Sequence, residues 1–192
     1  NVNLNNVTIN VANNTIQTGG RMYVNGGELN VNGSYEVSST GYLDFRGAGN
    51  VDVGKDFTIK TSKSAQASST VNGSGWLFSD GTLSIGGNFY QYNSSTTNDN
   101  FKSLIDHVVK FVGEGTHEIY FESAECYLGN LTVPENAKIK FTGVFHGFKL
   151  TQDITIDGDA QFDCSTLSLN GNTLTIEGDL TQIGGTIDTT SG

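Results

Sequence analysis

Apolar residues in this chain alternate with polar ones in very short runs, each carrying about two side chains on the same face. Leu29 and Val31, Val51 and Val53, Leu83 and Ile85, Val109 and Phe111, Ile119 and Phe121, Ile139 and Phe141, Ile154 and Ile156, and Leu174 and Ile176 are such pairs. A period of two sets these residues on one side of a strand and the intervening Thr, Asn, Asp and Lys on the other. Corner residues follow at once, as in Gly33-Ser34, Gly87-Asn88, Gly158-Asp159 and Gly178-Asp179. Gly and Asn tolerate positive φ, and Asn and Asp side chains bond their own backbone, so these pairs suit tight turns. A hairpin sandwich needs longer strands. Short strands between tight corners instead suit coils that stack and bury one continuous core. The expected fold class is therefore all-β, a parallel β-solenoid (β-helix) with a right-handed wind, spanning 1–192 as a single module. Only 35% of the residues are hydrophobic, but the regular alternation excludes disorder.

Two segments break the pattern. Phe101, Leu104, Ile105 and Val108 follow helical spacing behind Asp99-Asn100, which predicts one short helical turn over 101–106 leading into a strand over 107–112. The stretch 61–75, rich in Ser, Thr, Gly and Ala, reads as a loop bulging from the stack.

The chain also resembles itself. Glu28-Leu-Asn-Val-Asn-Gly33 is similar to Thr82-Leu-Ser-Ile-Gly-Gly87 and to Thr173-Leu-Thr-Ile-Glu-Gly178. Leu4-Asn-Asn-Val-Thr-Ile9 is similar to Leu169-Asn-Gly-Asn-Thr-Leu-Thr-Ile176 with a two-residue gap, and Gln17-Thr-Gly-Gly-Arg-Met22 to Gln182-Ile-Gly-Gly-Thr-Ile187. The separations from Ile9 to Ile176 and from Gln17 to Gln182 are nearly equal, which suggests a recurring module of that length. The chain starts at Asn1, and no secretion signal is recognised in it. It is therefore expected to be cut from a longer repeat array, with neighbouring modules of the same polypeptide as its partners.

His107-Val-Val-Lys-Phe-Val-Gly-Glu-Gly115, Ile119-Tyr-Phe121, Leu128-Gly-Asn-Leu-Thr-Val133 and Leu150-Thr-Gln-Asp-Ile-Thr-Ile-Asp-Gly158 resemble the long β-strand repeat modules of large secreted and surface bacterial proteins, adhesin-like β-solenoids. Gly27-Glu-Leu-Asn-Val-Asn-Gly33 and Val51-Asp-Val-Gly-Lys-Asp-Phe57 fit the same pattern, whereas His117 stands where Gln is expected. The resemblance implies an extracellular or cell-surface array, and it carries over no catalytic or ligand residues.

Charge and side-chain chemistry narrow the function. The net charge of −10 disfavours nucleic acid and anionic membranes. No apolar run is long enough to span a bilayer, so membrane insertion is not expected. Cys126 and Cys164 read as buried thiols, with a disulfide between neighbouring coils left open. His107, His117 and His146 read as polar-face residues, with no third ligand at metal spacing. No cofactor is expected. Ca2+ is a weak possibility at Asp99 with Asn98 and Asn100, or at Asp157 and Asp159, since the Gly-Gly-x-Gly-x-Asp repeat is missing. Asp44, Asp52, Asp56, Asp153, Asp157, Asp159 and Asp163 are scattered singly at outward or corner positions, unlike the clustered acids of a polysaccharide lyase or hydrolase. The expected function is thus a non-catalytic structural or adhesive module, with a polysaccharide-cleaving β-helix as a third reading. A second is carbohydrate binding at exposed aromatics: Trp76, and Tyr90 and Tyr92, which face outward if Phe89 faces inward. A glycan, or a host or cell-wall surface, is the partner this second reading implies.

Overall fold

The computed structural model describes residues 1–65, 77–123, 125–143, 148–150 and 152–190. The chain is an all-β parallel solenoid of about eight coils. Its strands fall in repeating order onto three faces. The first face holds Thr8–Val11, Glu28–Val31, Asn50–Val53, Thr82–Ile85, Val108–Phe111 and Asn130–Thr132, and the pair Ile154–Ile156 and Leu174–Ile176 continues it. The second is one eight-stranded sheet running from Thr15–Gln17 to Leu180–Gln182. The third has two sheets, Val2–Asn3 with Arg21–Tyr23 and Tyr42–Asp44, and Tyr127–Leu128 with Phe148–Leu150, Thr166–Ser168 and Thr186–Asp188. Isolated parallel bridges, Phe78 to Ser103 and Lys102 to Tyr127, join the two.

Alternation decides what each strand buries. On the first face Leu29, Val51, Leu83, Val109 and Leu131 stack in register as one inward row. On the second, Tyr35, Phe57, Phe89, Ile119, Phe141 and Phe162 form another. Tyr35 and Phe57, 5.7 Å apart, and Phe57 and Phe89, 5.3 Å apart, meet edge to face, an arrangement aromatic quadrupoles favour, while Phe141 and Phe162 stack in parallel at 4.8 Å. Each inward side chain thus removes apolar surface from water against the coils on both sides of it.

Coil length is uneven. Thr15 pairs with Tyr35, Tyr35 with Phe57, Phe57 with Phe89, Phe89 with Ile119, Ile119 with Phe141, Phe141 with Phe162 and Phe162 with Gln182. The coils from Phe57 to Phe89 and from Phe89 to Ile119 are therefore much longer than the others, which are nearly equal. The Phe57–Phe89 coil takes up its extra residues after Thr61, where the chain leaves the second face, whereas the Phe89–Ile119 coil divides them between the stretch after Gln91 and the corner between Phe111 and Ile119. Of the predicted bulging loop, residues 61–65 are described: Thr61 ends a strand, and Ala65 is buried and bonded to the Asp99 carbonyl. The remainder lies outside the described residues.

The predicted helical turn over 101–106 is not formed; no helix occurs among the described residues. The backbone N–H groups of that segment reach neighbouring coils instead, from Ser103 to the Tyr127 carbonyl and from Leu104 to the Phe78 carbonyl. Phe101 is buried against Phe78, Phe89 and Phe121, while Ile105 is exposed at the following turn. A corner between two short strands has mimicked helical spacing. The strand that follows runs over Val108–Phe111.

The likeness between the chain's ends needs no gap. Thr15–Gln17 corresponds to Leu180–Gln182 and Arg21–Tyr23 to Thr186–Asp188, at one common separation. At the same separation Asn5 and Asn170 have φ of 42° and 52°, Asn6 and Gly171 have 64° and 79°, and Gly20 and Gly185 have 69° and 70°. Gln17 donates from Nε2 to the Gly20 carbonyl and Gln182 to the Gly185 carbonyl, at 3.2 and 3.0 Å. Leu174, not Ile176, therefore stands where Ile9 does.

Candidate functional site

Tyr90 and Tyr92 lie on the outer side of the second face, because Phe89 and Gln91 on either side of Tyr90 point inward and are fully buried. Parallel pairing aligns Tyr90 with Thr58 on one side and Tyr120 on the other. Three tyrosines thus converge. The Tyr90 and Tyr92 rings are nearly parallel, 6.2 Å between centroids, and Tyr92 and Tyr120 are 5.3 Å apart at 42°. Tyr92 is the most open, 37% exposed.

A buried polar network holds this outer cluster from within. The Gln91 amide oxygen accepts the Glu122 and Ser123 backbone N–H groups at 2.9 and 3.2 Å, and its nitrogen donates to Asn100 Oδ1 at 2.8 Å. Asn100 in turn donates to the Tyr92 and Thr61 carbonyls at 2.8 and 3.1 Å. The Asn93 backbone N–H donates to Glu122 Oε2 at 2.6 Å. These bonds fix the turn beyond Tyr92, so its ring is placed by the core rather than by a free loop.

Electrostatically the cluster is acid-rimmed. Burial first, then the Glu118 and Asp56 carboxylates and Tyr92, raise the Tyr90 hydroxyl above its ordinary pKa; burial, Glu122, Tyr92 and Glu118 do the same to Tyr120. Both phenols stay protonated near neutrality and can donate hydrogen bonds beside apolar ring surface.

Trp76 lies outside the described residues, as does His146. Gln91 shares the inward face of Phe89 and is inside the core. Tyr120 was missed by sequence reasoning, although the alternation in His117-Glu-Ile-Tyr-Phe121 turns it outward. Only the register brings it to Tyr90.

A second aromatic group sits on the third face, where the Arg21 guanidinium lies 4.4 Å from the Tyr42 ring centre and 5.4 Å from that of Tyr23. Lys63 Nζ lies 5.7 Å from Tyr42. These rings already carry cations of the chain itself. Asp44, expected at a solvated position, is buried beside them and bonds Arg46 at 2.9 Å. Burial requires such a partner.

The histidines depart from expectation too. His107 and His117 are buried core residues, not polar-face ones. Nδ1 of each lies 2.8 Å from a carbonyl of the preceding coil, Asp80 and Gly87 respectively, and Nε2 of each has no hydrogen-bond partner among the described residues. Rings pack around them: Phe45 and Phe78 on His107, Phe111 on His117. Cys126 and Cys164 are buried free thiols, pushed up by burial to about 12 and about 11, so they are unreactive. Among the described residues no three His, Cys, Asp or Glu side chains are grouped to hold a metal ion. Asp99 instead bonds Ser64, Thr97 and Lys102, and Asp153 and Asp159 accept backbone N–H groups of Thr173 and Asp179.

A shallow depression of about 510 Å³ on the first face is lined by Asn10, Asn30, Asp52 and Ser84, and Asn30 donates to Asn10 within it. It offers amides, the Ser84 hydroxyl and the Asp52 carboxylate. The chain matches no protein-family model, no curated protein and no solved structure.

Proposed function

We propose that this chain is a non-catalytic structural and adhesive module of a bacterial extracellular or cell-surface protein, a stiff spacer whose outer faces are available for contact. The observation that carries this reading is the unbroken stack of inward rows. Such a core makes the solenoid axis stiff, and its end coils leave strand edges that adjoining modules of the same polypeptide would cover. The surface address rests on the resemblance of the sequence to bacterial repeat modules. Small-angle X-ray scattering on two copies joined in tandem tests the spacer. With strands about 4.8 Å apart, each copy of about eight coils should add roughly 40 Å to one straight particle. Two bodies tumbling independently would sink it.

Carbohydrate binding is a second reading, favoured by the Tyr90, Tyr92 and Tyr120 cluster, which combines apolar ring surface with phenol donors. A glycan array with Tyr92→Ala and Trp76→Ala as controls tests it, and no signal on a broad array would count against it. Release of reducing ends or unsaturated sugars from polysaccharides would overturn the non-catalytic reading.

A further inference from the structure

The tyrosine cluster carries charge as well as ring surface. Glu118, Tyr120 and Glu122 turn outward in succession, because His117, Ile119 and Phe121 beside them are buried. The two carboxylates stand about 13 Å apart along the backbone with Tyr120 midway, and Tyr90 and Tyr92 lie alongside on the preceding coil. Hydrogen bonds set both acids in place. Glu118 Oε1 accepts the Thr142 hydroxyl at 2.6 Å, and Glu122 Oε2 accepts the Asn93 backbone N–H at 2.6 Å. Each carboxylate has a second oxygen that can accept from a ligand.

The local balance is negative. Asp56, on the coil before Tyr90, adds a third acid and accepts the Asn88 backbone N–H at 2.8 Å. Besides burial, Glu118 and Asp56 raise the Tyr90 hydroxyl, and Glu122 and Glu118 raise that of Tyr120, so all three acids act on the rings. Of the lysines nearest the cluster by register, Lys60 is paired with Glu36 at 2.9 Å and Lys140 aligns with Glu118. Among the described residues, three acids therefore outweigh the one lysine that remains.

The chain itself shows what such a combination holds. On the third face the Arg21 guanidinium packs over Tyr42 and Tyr23 and lies 3.8 Å from the Asp44 carboxylate. Rings and acid together favour a cation, through the ring quadrupole and through charge. Among the described residues the cation–ring contacts fall on Tyr23, Tyr42 and Tyr127, so the Tyr90 cluster offers the same pairing to a cation from outside.

We propose that this cluster binds a glycan bearing free amino groups, a de-N-acetylated hexosamine chain, with a sugar ring on Tyr92 and ammonium groups on Glu118 and Glu122. This rests on the reading of the same rings as a carbohydrate site. The separation of the two carboxylates exceeds one sugar ring, so the ligand is a chain and not a small cation. Its ring faces suit the aromatic surface, its hydroxyls suit the phenols, and its charge suits the acids. An acidic polysaccharide would be repelled by the three acids and by the net charge of −10.

Titration calorimetry at about pH 6, where the amines are protonated, compares hexasaccharides of glucosamine, of N-acetylglucosamine and of glucose. The amino chain should bind about ten-fold more tightly than the other two, and its affinity should fall as salt rises. Tyr92→Ala, which leaves the charge unchanged, should weaken it about ten-fold, and so should Glu118→Gln combined with Glu122→Gln. The glutamines still accept from Thr142 and Asn93, so the fold is kept. Removing the same charge at the exposed Glu135 and Glu177 should weaken it about two-fold at most. Equal or tighter binding of the uncharged chains, lost in Tyr92→Ala, would overturn the amine preference and leave the carbohydrate reading standing. Binding of the amino chain that survives Tyr92→Ala, or that falls as far in the Glu135 and Glu177 pair, would be general attraction to an acidic protein and would overturn the inference. Failure of the amino chain to bind would overturn it too, and the broad glycan array then decides the carbohydrate reading separately.

Discussion

Among single residues, His107 couples the fold to pH. Burial pushes its imidazole down to about 4, against a smaller upward pull from the Asp80 carbonyl that it faces. In the unfolded chain it titrates near 6.5, so between those values the unfolded state holds more protons and stability falls as pH falls. The separation is worth about 3 kcal/mol, present in full above about pH 6.5 and lost by about pH 4. Urea unfolding of the protein and of His107→Leu at pH 7 and pH 4.5 checks this. The variant should be less stable at pH 7, with the Asp80 carbonyl left unpaired, but should lose less on acidification. Equal losses in both would refute the assignment. Period-two alternation puts this ring on the inward side with Val109 and Phe111, but a polar ring is not expected in an apolar row. His107-Val-Val alternates like any strand entry, and what admits an imidazole is a carbonyl of the coil below, far off in the sequence. Asp44 is hidden for the same reason, since its partner Arg46 is near in sequence but the burial comes from the stack.

Strands were legible wherever two apolar residues bracket one polar one, as in Thr82–Ile85 and Ile154–Ile156, because the pleat alone sets that pattern. Corners were not. The spacing of Phe101, Leu104 and Ile105 satisfies a helix equally well, and only pairing with Phe78 and Tyr127 decides against it. The tyrosine cluster was half legible: Tyr90 and Tyr92 follow from alternation, whereas Tyr120 joins them across a long coil whose length no repeat in the sequence announces. Two substitutions test the connections between strands. Asn100→Ala strips partners from Gln91 and from the Tyr92 and Thr61 carbonyls, and should cost about 2–4 kcal/mol in chemical denaturation. Gly81→Ala should cost at least about 2 kcal/mol, because Gly81 sits at φ 74° with its missing Cβ aimed at the Gly49 carbonyl. A loss in either no larger than that of an ordinary surface change, about 0.5 kcal/mol, would show that the corner relaxes freely.

Over the whole molecule, stability should be graded along the axis. Middle coils are gripped from both sides through Phe57, Phe89 and Phe121, while the first and last have one neighbour each. Amide hydrogen exchange should be slowest in Phe57–Thr61, Phe89–Gln91 and Gly115–Phe121 and fastest in Val2–Asn3 and Leu180–Gln182. Uniform protection would mean that the stack opens only as one unit. The uneven coil lengths also say where this scaffold accepts cargo. Both long coils hold extra residues where they leave the second face, the second of them also after Phe111, while the Gly86-Gly87 corner lies against the backbone of Gly54 and Lys55 beneath it. A short Gly-Ser tract spliced between Ser95 and Thr96 should lower stability by only about 1 kcal/mol, and the same tract between Gly86 and Gly87 by several-fold more. Successive coils could in this way carry foreign peptides side by side, at intervals of about 4.8 Å, along one ridge of the molecule.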